Sequence, residues 1–146
     1  MKTAQDPRHL RRIKTFKSLF AHSFIEQELF NDLSQKIHKN LSQIDPIIEK
    51  SAPEWPLTQI NKTDLAILRL AIYELLFEKD TPAKVIIDEA VEIAKQYGSE
   101  NSGSFINGAL ASALALTKRD SEIKNKPKTK QNNKKDDKTD KKGENK

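Results

Sequence analysis

The sequence predicts an all-α fold with one domain, residues 1–117, followed by a Lys-rich tail, residues 118–146. Between residues 6 and 117, apolar side chains recur every three or four positions, which is the period of an amphipathic helix. Alternation typical of strands is scarce, and the 146 residues include four glycines. The tail contains one large aliphatic residue, Ile123, and no aromatic residue. Because such a segment buries too little apolar surface to offset its chain entropy, we expect it to be disordered.

The first helix is predicted to begin at Asp6 and Pro7, since an aspartate caps a helix N-terminus and a proline fits its first turn. Its apolar face is predicted to consist of Leu10, Ile13, Phe16, Phe20 and Phe24. The opposite face is predicted to carry the basic residues Arg8, Arg11, Arg12 and Lys14. Such a stripe suits a polyanion, and a merely solvated helix face would have the same pattern.

A second helical stretch is predicted where six apolar residues share one face: Ile25, Leu29, Leu33, Ile37, Leu41 and Ile44. Asp45–Pro46 either ends this helix or restarts a short one. The connector over residues 51–60 contains two prolines, which exclude a continuous helix. Its Trp55, Leu57 and Ile60 are predicted to fill the gap between two helical layers.

Three further helices are predicted in the second half of the chain. Asn61 is predicted to cap a helix that ends near Phe77 and is apolar on almost every side, which indicates a central position. The next helix is predicted to be capped by Asp80-Thr81-Pro82 and to stop at Gly98, burying Val85, Ile86, Ala90, Ile93 and Ala94. An alanine-rich helix is predicted from about residue 101 to about residue 117.

Charge is segregated along the chain. The net charge is +5 for residues 1–20, −6 for residues 21–117 and +6 for residues 118–146. We therefore expect a polyanion at the basic ends, and the acidic body is free for a basic partner. The tail either adds salt-dependent attraction to RNA or serves only as a solubilising segment.

Several function classes are excluded by residues that the sequence lacks. It has no cysteine, hence no disulfide or thiolate metal site, and its three histidines, His9, His22 and His38, lack ligand spacing. A phosphate-binding glycine loop and a nucleophile turn are missing as well. We therefore expect no enzymatic activity, no cofactor and no metal. No secretory or membrane-spanning stretch is evident, which favours a cytoplasmic protein.

Three motifs in the second half carry a family resemblance. They are D-x-A-I-L-R-x-A-x-Y-E-L at Asp64–Leu75, P-x-K-V-x-I-x-E-A-V-x-I-A-K at Pro82–Lys95, and F-I-N-G-x-L at Phe105–Leu110. In this order and spacing they closely resemble the C-terminal half of the NusB family. The first half resembles the family less closely, through an Arg-rich helix that ends in Ser18-Leu19-Phe20.

This resemblance implies a fold and a function. The fold is a bundle of two packed antiparallel helical subdomains. The function is that of a transcription antitermination factor, which binds a boxA-like single-stranded element of ribosomal RNA leaders together with the ribosomal protein NusE. The pair acts within an RNA polymerase antitermination complex.

The resemblance also implies RNA-binding residues. Arg8, Arg11 and Arg12 match the family's arginine-rich first helix, where guanidinium groups suit phosphates and can stack on bases. Phe105 matches the family's aromatic residue near RNA and could serve as a stacking platform. The alternatives are a solvated arginine face and core packing of the Phe105 ring.

Phe20 and Asp64 match positions that contact NusE in the family, as an aromatic anchor and as a carboxylate for a basic residue. Asp64 could equally be a helix-terminus carboxylate. The sequence departs from the family where Phe20 replaces the usual tyrosine and where Gly103-Ser104 stand in place of a lysine. The first half of the chain is also shorter than usual.

Two other functions remain open at this stage. One is a helical interaction adaptor that has lost specific RNA binding, and the other is a stand-alone module related to the N-terminal domains of ribosomal RNA methyltransferases. The sequence fits a monomer or a homodimer equally well.

Overall fold

A computed structural model describes residues 6–26 and 28–124. In these residues all regular structure is helical, which confirms the all-α prediction. The elements are α1 (Pro7–His22), α2 (Asp32–Lys39), α3 (Leu41–Ser51), a short 3-10 turn (Leu57–Gln59), α4 (Lys62–Phe77), α5 (Ala83–Tyr97), α6 (Ser102–Leu116) and α7 (Ser121–Lys124).

Helix α1 begins as predicted, but it turns a different face to the core. The Asp6 side chain accepts from the Arg8 backbone N–H at 2.9 Å, and Pro7 occupies the first turn. Two residues of the predicted apolar face are exposed, Leu10 at 49% and Phe24 at 59%. The buried face instead includes Arg12, so the predicted separation of apolar and basic sides is wrong at this residue.

The predicted second helix is two helices in the structure. Ile25 lies in the loop before α2 and is exposed, because α2 begins only where the Asn31 side chain accepts from the Ser34 backbone N–H at 2.9 Å. After a break at Asn40, helix α3 continues through Pro46. Ile44 and Ile48, on either side of Pro46, are fully buried in the core. Their burial offsets the loss of the hydrogen bond that a proline, which lacks an N–H, cannot make.

Helix α4 lies at the centre of the bundle, as predicted. It contacts α1, α2, α3, α5 and α6, and residues on all its sides are buried. Ile67, Leu68 and Leu75 are fully buried. Burial of each such side chain contributes about 1.5–3 kcal/mol relative to exposure. Helix α4 supplies more of the buried apolar residues than any other helix.

Helices α5 and α6 form the most extensive helix pair. Ile86, Ala90, Ile93 and Ala94 of α5 are buried as predicted, whereas Val85 is 41% exposed. Gly98 permits the tight turn between the helices, since a Cβ there would lie 2.5 Å from Ser102 Oγ.

Helical structure continues past residue 117. Arg119 is buried and residues 121–124 form α7. The prediction that Asp80-Thr81-Pro82 caps α5 is wrong, because no side chain of this segment accepts from the start of α5. The first N–H of the helix, that of Ala83, donates to the Glu122 carboxylate instead. The tail prediction for residues 125–146 lies outside the described residues.

A buried ionic cluster joins α1 to α4 and α5. Arg12 donates to both carboxylate oxygens of Glu74 on α4, at 2.7 and 2.8 Å, and its Nη1 lies 3.9 Å from Oε1 of Glu89 on α5. His9 Nδ1 lies 2.8 Å from the same oxygen of Glu89. All four residues are buried. We call them the ionic cluster.

The Arg12 guanidinium stays charged in this environment. Burial alone would lower the pKa of Arg12, but the hydrogen bonds and charge of Glu74, with the charge of Glu89, raise its pKa above the ordinary value. The cluster therefore keeps a cation between two carboxylates in the core, and α1 is fixed by these bonds as well as by apolar contacts.

Replacing Arg12 by methionine would leave Glu74 without its cation. We expect Arg12→Met to lower the free energy of unfolding by about 3–5 kcal/mol, because a buried charge that loses its partner keeps its desolvation cost. Lys14→Met, at an exposed position of the same helix, should change it by less than about 0.5 kcal/mol. Urea unfolding followed by circular dichroism measures both. A loss below about 1 kcal/mol for Arg12→Met would contradict the role given to the cluster.

Candidate RNA and partner interface

The arginines of α1 line a hollow of about 240 Å³ between α1, α2 and the end of α4. We call it the arginine groove. Its lining residues are Arg8, Arg11, Arg12, Leu33, Glu74, Glu78 and Thr81. The Arg8 side chain is 83% exposed and is held by Asp6, whose pKa is lowered by the side-chain and backbone hydrogen bonds from Arg8. Arg11 is exposed too. Two guanidinium groups at the rim can therefore reach a ligand.

Arg12 differs from the two other predicted RNA-binding arginines. It is 9% exposed, and its guanidinium donates bidentately to Glu74. A guanidinium bound in this way has few donors left for a phosphate. We therefore treat Arg12 as a residue that positions α1, and Arg8 and Arg11 as the candidate contacts.

Four exposed cations follow one another along α1, at spacings of three residues: Arg8, Arg11, Lys14 and Lys17. Residues three apart are neighbours on a helix surface, but each such step falls about 60° short of a full turn, so these four cations wind half-way around α1. We call them the cation row. Its last member, Lys17, places Nζ 5.5 Å from the centre of the Tyr97 ring at the end of α5. The row therefore starts at the arginine groove and ends beside the turn between α5 and α6.

A second hollow, of about 200 Å³, lies at the start of α4 and α6. We call it the aromatic pocket. Its lining residues are Trp55, Gln59, Ile60, Asn61, Asp64, Ser99, Asn101 and Phe105. Trp55 is 49% exposed, so the expectation that it fills the core is wrong, while Ile60 is buried as expected. Phe105 is half-buried and packs partly on the core, which leaves part of its ring facing the pocket.

The two carboxylate oxygens of Asp64 differ in their hydrogen bonding. Asn61 caps α4 by accepting from the Asp64 N–H at 2.8 Å, and its amide donates to Asp64 Oδ2 at 3.1 Å. Oδ1 is buried and has no hydrogen-bond partner among the described residues. One carboxylate oxygen thus supports the helix terminus, and the other is a buried acceptor that lacks a donor among the described residues.

Phe20 lies at the same end of the bundle as Asp64. Its ring lies between those of Phe16 and Phe24, with centroid distances of 6.0 and 4.9 Å. The Phe24 ring is exposed and lies 5.5 Å from Nζ of Lys62, at the start of α4. Half-buried Phe20 is therefore part of an aromatic surface close to the start of α4.

The predicted site residues fall into two groups. Contacts from α1 to both ends of α4 show that these helices run antiparallel, since Arg12 meets Glu74 and Phe24 meets Lys62. Arg8 and Arg11 lie at one end of α4, while Phe20, Asp64 and Phe105 lie at the other. The arginine groove and the aromatic pocket share no lining residue. Ten residues of α4, about 15 Å, separate Asp64 from Glu74.

Two other kinds of feature are absent from the described ranges. No helix of residues 6–26 and 28–124 is long and apolar enough to cross a membrane. The same residues contain no group of three or more His, Cys, Asp or Glu side chains that could hold a metal ion.

The fold and these surfaces define a small all-helical protein with a cationic first helix and an aromatic pocket. More specifically, the chain belongs to the NusB family, whose model matches residues 9–115. This membership confirms the resemblance found in the sequence. The family is not enzymatic, in agreement with the expectation for this chain.

The chain is similar to several transcription antitermination proteins of this family. It is 44% identical over 124 residues to the transcription antitermination protein NusB of Thermotoga maritima, covering 71% of this chain and 87% of the relative. It is 49% identical over 91 residues to that of Acetivibrio thermocellus, covering 62% and 63% of the two chains. A solved structure of T. maritima NusB superimposes with a TM-score of 0.72 at 38% identity, over 85% of this chain and 99% of that one. The fold is therefore that of NusB.

Proposed function

We propose that the chain is a transcription antitermination factor that binds a boxA-like single strand of ribosomal RNA leaders together with the ribosomal protein NusE. Its family membership supports the general role. The observation that carries the RNA part is the cation row, which begins at the arginine groove and ends with Lys17 at Tyr97, two residues before Ser99 of the aromatic pocket. The body of the protein, residues 21–117, has a net charge of −6, so α1 is the favoured surface for a polyanion.

In this proposal the RNA strand follows α1. Arg8 and Arg11 bind phosphates at the arginine groove, because a planar guanidinium can donate two parallel hydrogen bonds to one phosphate. Lys14 and Lys17 attract the next phosphates along the strand. An unpaired base then reaches the aromatic pocket and stacks on Phe105, as bases of single strands do on exposed rings. Arg12 contributes indirectly by holding α1 in place.

NusE contacts the same end of the protein as the aromatic pocket. The Phe20 and Phe24 rings offer an apolar surface, and Asp64 Oδ1 offers a buried acceptor without a partner among the described residues. A lysine or arginine of NusE would satisfy that oxygen, and the bond would be strong because both groups are charged. The replacement of tyrosine by Phe20 removes a hydroxyl and keeps the apolar contact area.

Neutralising the rim arginines should reduce the salt dependence of RNA binding. For Arg8→Ala/Arg11→Ala we expect the slope of log K against log salt to fall in magnitude by about 1.4, since each lost phosphate contact to a single strand accounts for about 0.7. Fluorescence anisotropy with a labelled boxA-like strand, at several KCl concentrations and with or without NusE, measures the slope.

The matched control for this experiment is Lys36→Ala/Lys39→Ala, which removes two exposed cations from α2. Its slope should equal that of the parent. Equal slopes for the parent and for Arg8→Ala/Arg11→Ala would show that Arg8 and Arg11 do not bind the phosphates. Equal, weak affinity of the parent for any RNA, with or without NusE, would contradict the proposed function as a whole.

Removing the charge of Asp64 should weaken NusE binding. Asp64→Asn keeps an oxygen for the Asn61 amide, so α4 stays capped, but it loses the carboxylate that would bind a cation. We expect the affinity for purified NusE to fall about 10- to 100-fold, because a hydrogen bond to a charged group contributes about 1.5–3 kcal/mol. Isothermal titration calorimetry measures this, with Asp32→Asn on exposed α2 as the control. NusE affinity equal to that of the parent would refute the partner role of Asp64.

A further inference from the structure

Trp55 is an exposed aromatic residue on a restricted turn. It lies in the connector between α3 and the 3-10 turn, and it is 49% exposed. Its backbone N–H donates to the carbonyl of buried Ala52 at 3.0 Å, and Pro53 and Pro56 restrict the backbone on both sides. A large ring that is held in this way loses little conformational entropy when a ligand covers it.

Trp55 lines the same hollow as Phe105, the aromatic pocket. The two residues come from distant parts of the chain, the connector after α3 and the first turns of α6. Neither ring is in contact with another aromatic ring among the described residues. The exposed parts of two rings therefore border one cavity of about 200 Å³.

The polar lining of the pocket suits the edge of a base. Gln59 and Asn101 are exposed, and their side-chain amides form no hydrogen bond with a described residue. Each amide has donors and an acceptor, and the edges of nucleobases present both kinds of group. Aromatic rings together with unused polar groups are typical of protein sites for unpaired bases.

NusE is the alternative occupant of the pocket, because Asp64 also lines it. The apolar residues proposed to contact NusE, Phe20 and Phe24, do not line the pocket. Lys17, the last member of the cation row, lies beside Tyr97, two residues before Ser99 of the pocket. The pocket thus lies next to the proposed RNA path, and we favour a base over a NusE side chain.

We infer that Trp55 is a second stacking residue: one unpaired base is held between the Trp55 indole and the Phe105 ring, with its edge towards the amides of Gln59 and Asn101. This inference rests on the proposed function, which it extends from one platform to a two-sided site. A base between two rings has one possible position, so Trp55 fixes the register of the strand as well as its affinity.

The first test uses the fluorescence of Trp55, which is the one tryptophan of the chain. A base stacked on the indole should quench its emission as a boxA-like single strand binds the full-length protein, with or without NusE. Trp55→Leu serves as the blank for emission from other sources. In a series of strands, each abasic at one position, the quench should be lost for one position and kept for the others.

The second test compares two variants that both keep an apolar side chain. Trp55→Leu, which lacks an aromatic face, should weaken binding of the boxA-like strand about 5- to 100-fold, the range of base stacking on one ring. Trp55→Phe keeps the face and should retain most of the affinity. The matched control is Phe77→Leu, 43% exposed and outside both hollows, which should bind as the parent does.

The abasic strand that loses the quench separates direct contact from damage to the fold. The parent and Trp55→Leu should bind this strand equally, because the base that Trp55 would contact is missing. An equal loss by Trp55→Leu on the intact and the abasic strand would overturn the inference. A quench caused by NusE alone and not by RNA would also overturn it. If Trp55→Leu fails to fold by circular dichroism, Trp55→Phe serves as the blank, and the abasic series on the parent decides the question.

Arg8→Ala/Arg11→Ala distinguishes failure of this inference from failure of the proposed function. If that variant shows its expected loss of salt slope while the parent shows no quench, only the role of Trp55 is wrong. If the parent itself fails to bind the boxA-like strand, both are wrong.

Discussion

The position of α1 depends on the ionic cluster, and the candidate RNA surface depends on the position of α1. Glu74 and Glu89 come from different helices of the core, and two buried carboxylates close together require a cation between them. Arg12 supplies this cation and His9 bonds the second carboxylate. Once these two side chains are fixed on the inner face, the helical period turns Arg11 and Lys14 outward. The burial of one basic residue thus exposes the others as an ordered row.

The two proposed binding surfaces, the aromatic pocket and the arginine groove, lie at opposite ends of α4. At its N-terminus, Asp64 lines the aromatic pocket, and its bond with Asn61 leaves one buried carboxylate oxygen without a partner among the described residues. At its C-terminus, the orphan carbonyl of Leu75 accepts from Arg119, which also donates to the Thr81 carbonyl and so lies beside the arginine groove. Both surfaces therefore use polar groups that a helix terminus leaves unsatisfied. The middle of α4, which is buried apart from half-buried Arg69, packs against the other helices and sets the distance between them.

The sequence was sufficient for the fold class, for the helices from α4 to α6 and for the family, because long apolar periods and linked motifs are local signals. It was insufficient where burial depends on distant partners. Periodicity predicts that Arg12 lies at the surface. The burial of Arg12 is favourable only because its guanidinium contacts Glu74, 62 positions away in the sequence. The same holds for Arg119, which lies in a stretch whose composition indicates disorder but which finds two carbonyls 38 and 44 positions away. The prediction that Trp55 is buried was wrong for another reason. It rested on hydrophobicity alone, and Trp55 is exposed together with its neighbours Glu54 and Pro56.

The most direct test of this account asks whether Arg12 acts by holding α1 or by touching RNA. The affinity for a boxA-like single strand is measured for the parent, for Arg12→Met and for Arg12→Met/Glu74→Leu, under conditions where circular dichroism shows all three to be folded. Replacing both partners of a buried pair by apolar residues restores packing without restoring the guanidinium. The account predicts that Arg12→Met weakens binding about 10-fold and that the double variant regains most of the lost affinity. A folded double variant that binds as weakly as Arg12→Met would contradict it.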